Sequence, residues 1–207
     1  MFLMELFVKF SNNREFHIMR MTLHKLVILP GLFLSSSVLA TDINVDFTAT
    51  VKASTCNITL TGNNVTSDGN DTYTLTFPGT IGLDKIANKT AQAQANFNLI
   101  ASGCSTGVSK ITTKLSGSAS GSSPALIIPS TSDPTSTTDY IGMGIKRIDT
   151  DDSTFLTPNS AQSIIWSPAE ISSTEGLKLT VALRETSAGR GVPGDFRAQA
   201  TFNFIYE

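Results

Sequence analysis

Asp195 to Glu207 reads DFRAQATFNFIYE, and its side chains alternate almost without fault. Phe196, Ala198, Ala200, Phe202, Phe204 and Tyr206 fall on one parity, while Arg197, Gln199, Thr201 and Asn203 fall on the other and only Ile205 breaks the polar side. Apolar residues at period two mean an extended strand with one buried face. The same pattern stands near the other end of the chain, in Asp42 to Ser54 (DINVDFTATVKAS). There Ile43, Val45, Phe47, Ala49, Val51 and Ala53 alternate with Asp42, Asn44, Asp46, Thr48, Thr50, Lys52 and Ser54.

Between these two stretches the sequence predicts further short strands at Tyr73–Phe77, Gln92–Ala101, Lys110–Leu115, Ala125–Ile128, Tyr140–Ile148 and Leu177–Arg184. Gly62 to Asp71 (GNNVTSDGND) reads as turn chemistry, and Pro78-Gly79 stops the run before it. Ser116 to Asp139, rich in Ser, Thr, Gly and Pro, reads as a mobile surface connection. Apolar residues nowhere recur at helical spacing over more than two turns, although Ser163 to Gly176 has room for a short helix. The fold class expected is all-β, a sandwich of two antiparallel sheets.

Composition narrows the function. Of 207 residues only 15% are charged, and the formal net charge is -2. Ser, Thr, Asn and Gly fill the deficit, which suits strands and turns, and no basic excess exists to neutralise a phosphate backbone. Nucleic acid is therefore not an expected partner. Met21 to Ala40 (MTLHKLVILPGLFLSSSVLA) has Lys25, an apolar run from Leu26 to Leu34 and small residues before Ala40, the pattern of a secretory signal peptide. That run is much shorter than the roughly 20 residues of a membrane span. Residues 1–20 precede the signal, and translation from Met21 is the expectation that accommodates them.

Removing residues 1–40 leaves 167 residues and takes away both histidines, His17 and His24. No Ser-His-Asp triad, Cys-His pair or histidine metal site can then be built, so neither enzyme activity nor a cofactor or metal is expected. Cys56 and Cys104 both survive, and two cysteines in an exported domain read as one disulfide, with two free thiols as the alternative.

Weaker signals dissolve in their context. Gly189 to Gly194 (GRGVPG) matches a dinucleotide-binding glycine pattern, but an alternating strand follows where that motif needs a helix N-terminus, so it reads as a loop between strands. Asp149, Asp151 and Asp152 lack the glycine and the closing glutamate of a calcium loop and read as a solvated turn. Sequons at Asn57, Asn64, Asn70 and Asn88 matter only in a eukaryotic source. An immunoglobulin-type receptor domain would place a Trp between the cysteines, and residues 57–103 contain none.

Ala53-Ser54-Thr55-Cys56-Asn57-Ile58, Phe97-Asn98-Leu99 ahead of Cys104, Gly142-Met143-Gly144-Ile145, and the ending from Gly194 with penultimate Tyr206 together resemble a fimbrial subunit of the chaperone-usher class, of type 1 pilus kind. The resemblance spans residues 41–207. It implies an incomplete immunoglobulin-like β-sandwich that lacks its last strand, so that donor-strand complementation must complete the core. Residues 41–53 would be the donor extension, with Ile43, Val45, Phe47, Ala49 and Val51 filling a neighbour's groove, and residues 54–207 the pilin domain. Gly194, Phe196, Ala198, Ala200, Phe202, Phe204 and Tyr206 would form the strand that walls the acceptor groove. The implied partners are a periplasmic pilus chaperone, an outer-membrane usher and neighbouring subunits, on a route through the periplasm to a cell-surface fimbrium that serves adhesion. The family commonly has glycine where this chain has Ala49, which leaves the register there open.

Two other readings stand beside it. A tip adhesin needs a receptor-binding domain ahead of the pilin domain, for which 167 residues leave no space. A secreted immunoglobulin-like binding domain would be a stable monomer without a partner strand. The exported protein is expected to begin at Thr41; N-terminal sequencing of secreted material reads this directly, and a start elsewhere would move the donor's first residue.

Overall fold

A computed structural model describes residues 55–207. The expected signal segment (21–40, within 1–40) and the expected donor stretch 41–53, with Ile43, Val45, Phe47, Ala49 and Val51, lie outside the described residues.

Nine strands form the described part. They are β1 (Asn57–Thr61), β2 (Val65–Gly69), β3 (Thr72–Leu75), β4 (Gln94–Ser102), β5 (Ile111–Gly117), β6 (Ile141–Arg147), β7 (Ile164–Ile165), β8 (Leu177–Glu185) and β9 (Ala200–Tyr206). One sheet has the order β1-β4-β8-β6 and a second β7-β5-β9, all antiparallel, with β2-β3 a separate hairpin. The described residues also form two short α-helices, α1 (Leu83–Ala87) and α2 (Pro168–Ser172), and two 3-10 turns, Ala91–Ala93 and Asp152–Thr154.

The core lies between the two larger sheets. From the first come Phe97 and Leu99 of β4, Leu177, Leu179 and Val181 of β8, and Ile145 of β6; β5 contributes Ile111 and Leu115. Each set obeys period two, as a strand with one buried face requires. Trp166, 2% exposed, inserts from the segment after β7, and its indole N–H donates to the Thr113 hydroxyl at 2.7 Å, so this buried polar pair is satisfied. The two cysteines form the expected disulfide, which joins the residue before β1 to the segment after β4.

Several sequence expectations need correction. The turn-rich stretch 62–71 contains β2, whose outward positions are all exposed and whose polar residues carry no alternation to read. Its turn is visible: Asn70 and Asp71 both take positive φ, 50° and 58°, as a primed hairpin turn demands. Ala125–Ile128 is not a strand; Ile127 alone bridges Ala119 and Met143. The 116–139 connection is also less open than expected, because Leu126 and Ile127 are buried against the sheets. The regular strand at the chain's end begins only at Ala200, since β5 runs out opposite it at Gly117. The short helix expected within 163–176 is α2, closed by a capping box between Ser167 and Glu170.

Asp152 departs from the solvated turn read for its cluster. It accepts from Arg184 Nε at 2.7 Å and from Lys146 Nζ at 3.1 Å, on the outer face of the four-stranded sheet. Burial works to raise its pKa, but the hydrogen bonds and charges of Arg184 and Lys146 outweigh that and hold it below the usual carboxylate range. Asp151 stays exposed and binds the Ser153 backbone N–H.

Gly144 explains one of the quoted motifs. A Cβ there would lie 2.6 Å from the Phe155 ring, so β6 can carry no side chain at that point. Gly144→Val is expected to cost about 1–3 kcal/mol through overpacking, read as a lowered urea midpoint at unchanged slope.

Candidate functional site

Among the described residues, β9 joins the fold on one side only. Its residues pair with β5 from Ile111↔Tyr206 to Gly117↔Ala200. Glu207 donates to the Lys110 carbonyl at 2.9 Å and accepts from the Lys110 N–H at 3.0 Å, which sets the parity of the ladder. In an antiparallel pair both backbone groups of alternate residues point to the same side. Odd-numbered residues of β9 therefore face β5, and the N–H and C=O of Ala200, Phe202, Phe204 and Tyr206 face away from it. Among the described residues these groups meet no other strand.

The same even-numbered residues point their side chains into the sandwich. Phe202 stacks obliquely on Phe97, ring centres 5.9 Å apart, and Phe204 meets Trp166 edge-on at 6.4 Å. Yet every one of them is only half-buried, whereas Ile111 and Thr113 of neighbouring β5 are wholly buried. Among the described residues the core is thus closed over β5 and open beyond β9.

The other wall comes from the first sheet. β1 is its edge strand, paired with β4 alone among the described residues, and Ile58 and Leu60 are half-buried against the core. Val65, Leu75 and Phe77 pack there in the same partial way. The Tyr206 hydroxyl donates to the Cys56 carbonyl at 3.2 Å, which places the end of β9 beside the start of β1. Partial burial there pushes the Tyr206 phenol's pKa up. The geometry is a groove with two apolar walls and one line of unpaired backbone groups, which is what an added strand requires.

The sequence assigns seven residues to this wall, and the structure separates them. Ala198, Ala200, Phe202, Phe204 and Tyr206 pack against the main core cluster, and Phe196 against a second cluster with Ile86, Ile141 and Leu183. Gly194 is exposed and lies under Thr137: a Cβ there would meet that residue's carbonyl carbon at 2.8 Å. Asp195 accepts from the Thr137 N–H at 2.8 Å and donates to its hydroxyl at 2.8 Å, so this loop pins the approach to β9. Sequence reasoning missed Thr137 and the β1 wall, because a loop threonine and two residues of a five-residue strand carry no signal before the partner is seen.

The family model described as Fimbrial protein matches residues 45–207. The chain belongs to the fimbrial protein family. YadM, a fimbrial-like protein of Escherichia coli (strain K12), is 67% identical over 186 residues, which cover 90% of this chain and 98% of that one. Among solved structures, the P pilus rod subunit PapA aligns with TM-score 0.48 and 14% identity, over 79% of this chain and 100% of its own. The P pilus adaptor subunit PapF aligns with TM-score 0.42 and 18% identity, over 73% and 95%. This fimbrial chain is a structural subunit of a cell-surface fimbrium.

The parity of the edge is testable by proline. Ala200→Pro removes an N–H that faces the groove and is expected to leave urea stability within about 1 kcal/mol. Thr201→Pro removes one bonded to β5 and is expected to cost about 2 kcal/mol or more. A larger loss from Ala200→Pro than from Thr201→Pro would show that the ladder runs on the other parity.

Proposed function

We propose that this fimbrial subunit polymerises by donor-strand exchange, with residues 41–53 of one copy completing the groove between β9 and β1 of the next. The observation that carries the reading is the half-buried inward face of β9 beside unpaired backbone groups. Ile43, Val45, Phe47, Ala49 and Val51 have the alternation that an added strand needs, with polar residues left for the outer side. The family match supports it by starting at Val45, inside that stretch.

Magnitudes favour the exchange. Burying five apolar side chains at about 1.5–3 kcal/mol each, before ordering costs, is comparable with a small domain's whole stability of about 5–15 kcal/mol. A subunit with an empty groove is correspondingly weak, and its bare edge is a template for aggregation. A periplasmic chaperone that lends a strand until the neighbour arrives, and an outer-membrane usher that organises the handover, answer that problem. On this reading the protein performs no catalysis and leaves the cell through the periplasm.

The test is expression of residues 41–207 in a periplasm with and without a cognate chaperone, repeated without residues 41–53. The full chain is expected to accumulate only with the chaperone; the shortened chain is expected to bind the chaperone and fail to enter polymers. A soluble, cooperatively unfolding monomer obtained with no chaperone and no added strand would overturn the reading.

A further inference from the structure

The open edge runs further than the regular part of β9. Burial alternates at period two without a break from Asp195 to Glu207, the even-numbered residues half-buried and the odd-numbered ones exposed. Beyond Gly117, where β5 ends, the loop ahead of β6 takes over the pairing. The Thr137 N–H donates to the Asp195 carbonyl, the Thr137 hydroxyl accepts from the Asp195 N–H, and the Ser136 hydroxyl accepts from the Arg197 N–H. Odd-numbered backbone groups thus stay on the β5 side as far as Asp195, and even-numbered ones, from Phe196 to Tyr206, stay on the groove side. An added strand meets six inward positions, and residues 41–53 bring five inward side chains.

The direction of that strand follows from its tether. Only Ser54 and Thr55 separate Ala53 from Cys56, a reach of about 10 Å. The donating copy's domain therefore stands at the end of the groove where its donor leaves. Cys56 and Tyr206 share one end. A donor parallel to β9 would crowd the Cys56 ends of both copies together there, at the place from which the accepting copy's own donor departs. An antiparallel donor sets the Cys56 end of one copy against the Gly194 end of the next, the head-to-tail contact from which filaments grow.

Five antiparallel positions fit six in two ways. In one, Phe47 lies beside Phe202 and Val51 beside Ala198; Lys52 then faces Arg197 and Asp42 faces Glu207, two like-charged pairs. In the other, Phe47 lies beside Ala200 and Val51 beside Phe196; Lys52 then faces Asp195, an exposed carboxylate, and Asp42 faces Ile205. Resting on the exchange proposed above, we infer that the second register is used, with Ala200 admitting the donor's ring and Asp195 holding the cation that follows its last inward residue. Phe202 already lies obliquely on Phe97, so a second ring finds less room beside it than beside the Ala200 methyl. Like charges directly opposite weaken a strand pair and opposite charges support it. Tyr206, the sixth position, keeps its hydroxyl on the Cys56 carbonyl, the bond that spans the two walls. The groove accordingly selects a donor with an aromatic at its third inward position, a small residue at its fourth and a cation after its fifth, all of which a second copy of this chain supplies.

Disulfide trapping in fibres assembled from the full exported chain reads the register. Thr48 is opposite Gln199 in the inferred register and opposite Thr201 in the other. Opposite Cα atoms lie about 4.5–5.5 Å apart, within a disulfide's span, whereas a shift of two residues takes them to roughly 7–8 Å. Thr48→Cys with Gln199→Cys is expected to give a ladder of crosslinked copies on a non-reducing gel, at least fivefold stronger than Thr48→Cys with Thr201→Cys. An equal or stronger ladder from the Thr201 pair would overturn the register and leave donor-strand exchange standing; fibres with no ladder from either pair would overturn both. A charge exchange needs no new cysteine: Lys52→Asp is expected to lower fibre yield at least threefold, and Asp195→Lys in the same chain to restore it. A yield unchanged or raised by Lys52→Asp alone, or no recovery in the double variant, would also overturn the register.

Discussion

The β5–β9 ladder is the interaction on which the fold depends, because among the described residues it is made on one side of β9 only. A strand inside a sheet satisfies both rows of its backbone groups and is covered along its whole inward face. β9 satisfies one row and brings Phe202, Phe204 and Tyr206 to the core without closing over them. Two costs follow from one cause. Apolar surface stays wet, and backbone groups that a neighbouring strand would bind face outward.

Two of the other sheet edges, β7 and β6, are blunted, whereas β1 and β9, the edges that wall the groove, are not. β7 has two residues and offers little to pair with. The outer side of β6 is met by Ile127, which donates to the Met143 carbonyl and accepts from its N–H, both at 2.8 Å. Short length and a covering segment are ordinary ways to blunt an edge. β9 has neither over its seven residues, and the loop that pins Asp195 stops before the regular strand begins. Among the described residues the chain therefore covers the edge at β6, keeps β7 short, and leaves β9 and β1 bare on the two sides of the groove.

What the sequence made legible follows from the same physics. Alternation at period two is readable wherever a strand has one wet and one dry face, so β4, β5, β6, β8 and β9 were all placed within a few residues. The disulfide followed from two cysteines in an exported chain. β2 was hidden because its residues are polar on both faces, and the Ala125–Ile128 run misled because four apolar residues in a row fit a strand and a buried loop equally well. Of the candidate site, the β9 side chains were readable, but their half-burial was not: alternation states which face turns inward and says nothing of whether a neighbour covers it. Asp152 escaped for a related reason: Lys146 lies only six residues away, but Arg184 lies 32 away, and only the pairing of β6 with β8 brings the second cation to the same carboxylate.

The disulfide takes on a particular role in such a domain. Cys56 and Cys104 close a loop with a sequence separation of 48, which on the chain-entropy account stabilises the fold by about 4 kcal/mol. That contribution comes from restricting the unfolded chain, so it is the same whether the groove is empty or filled. Burial along β9, by contrast, is only partial among the described residues. The crosslink also stands at the groove itself: it holds the start of β1 to the end of β4, and the Cys56 carbonyl receives the Tyr206 hydroxyl. One covalent bond thus supports the domain and fixes one end of the two walls of the groove.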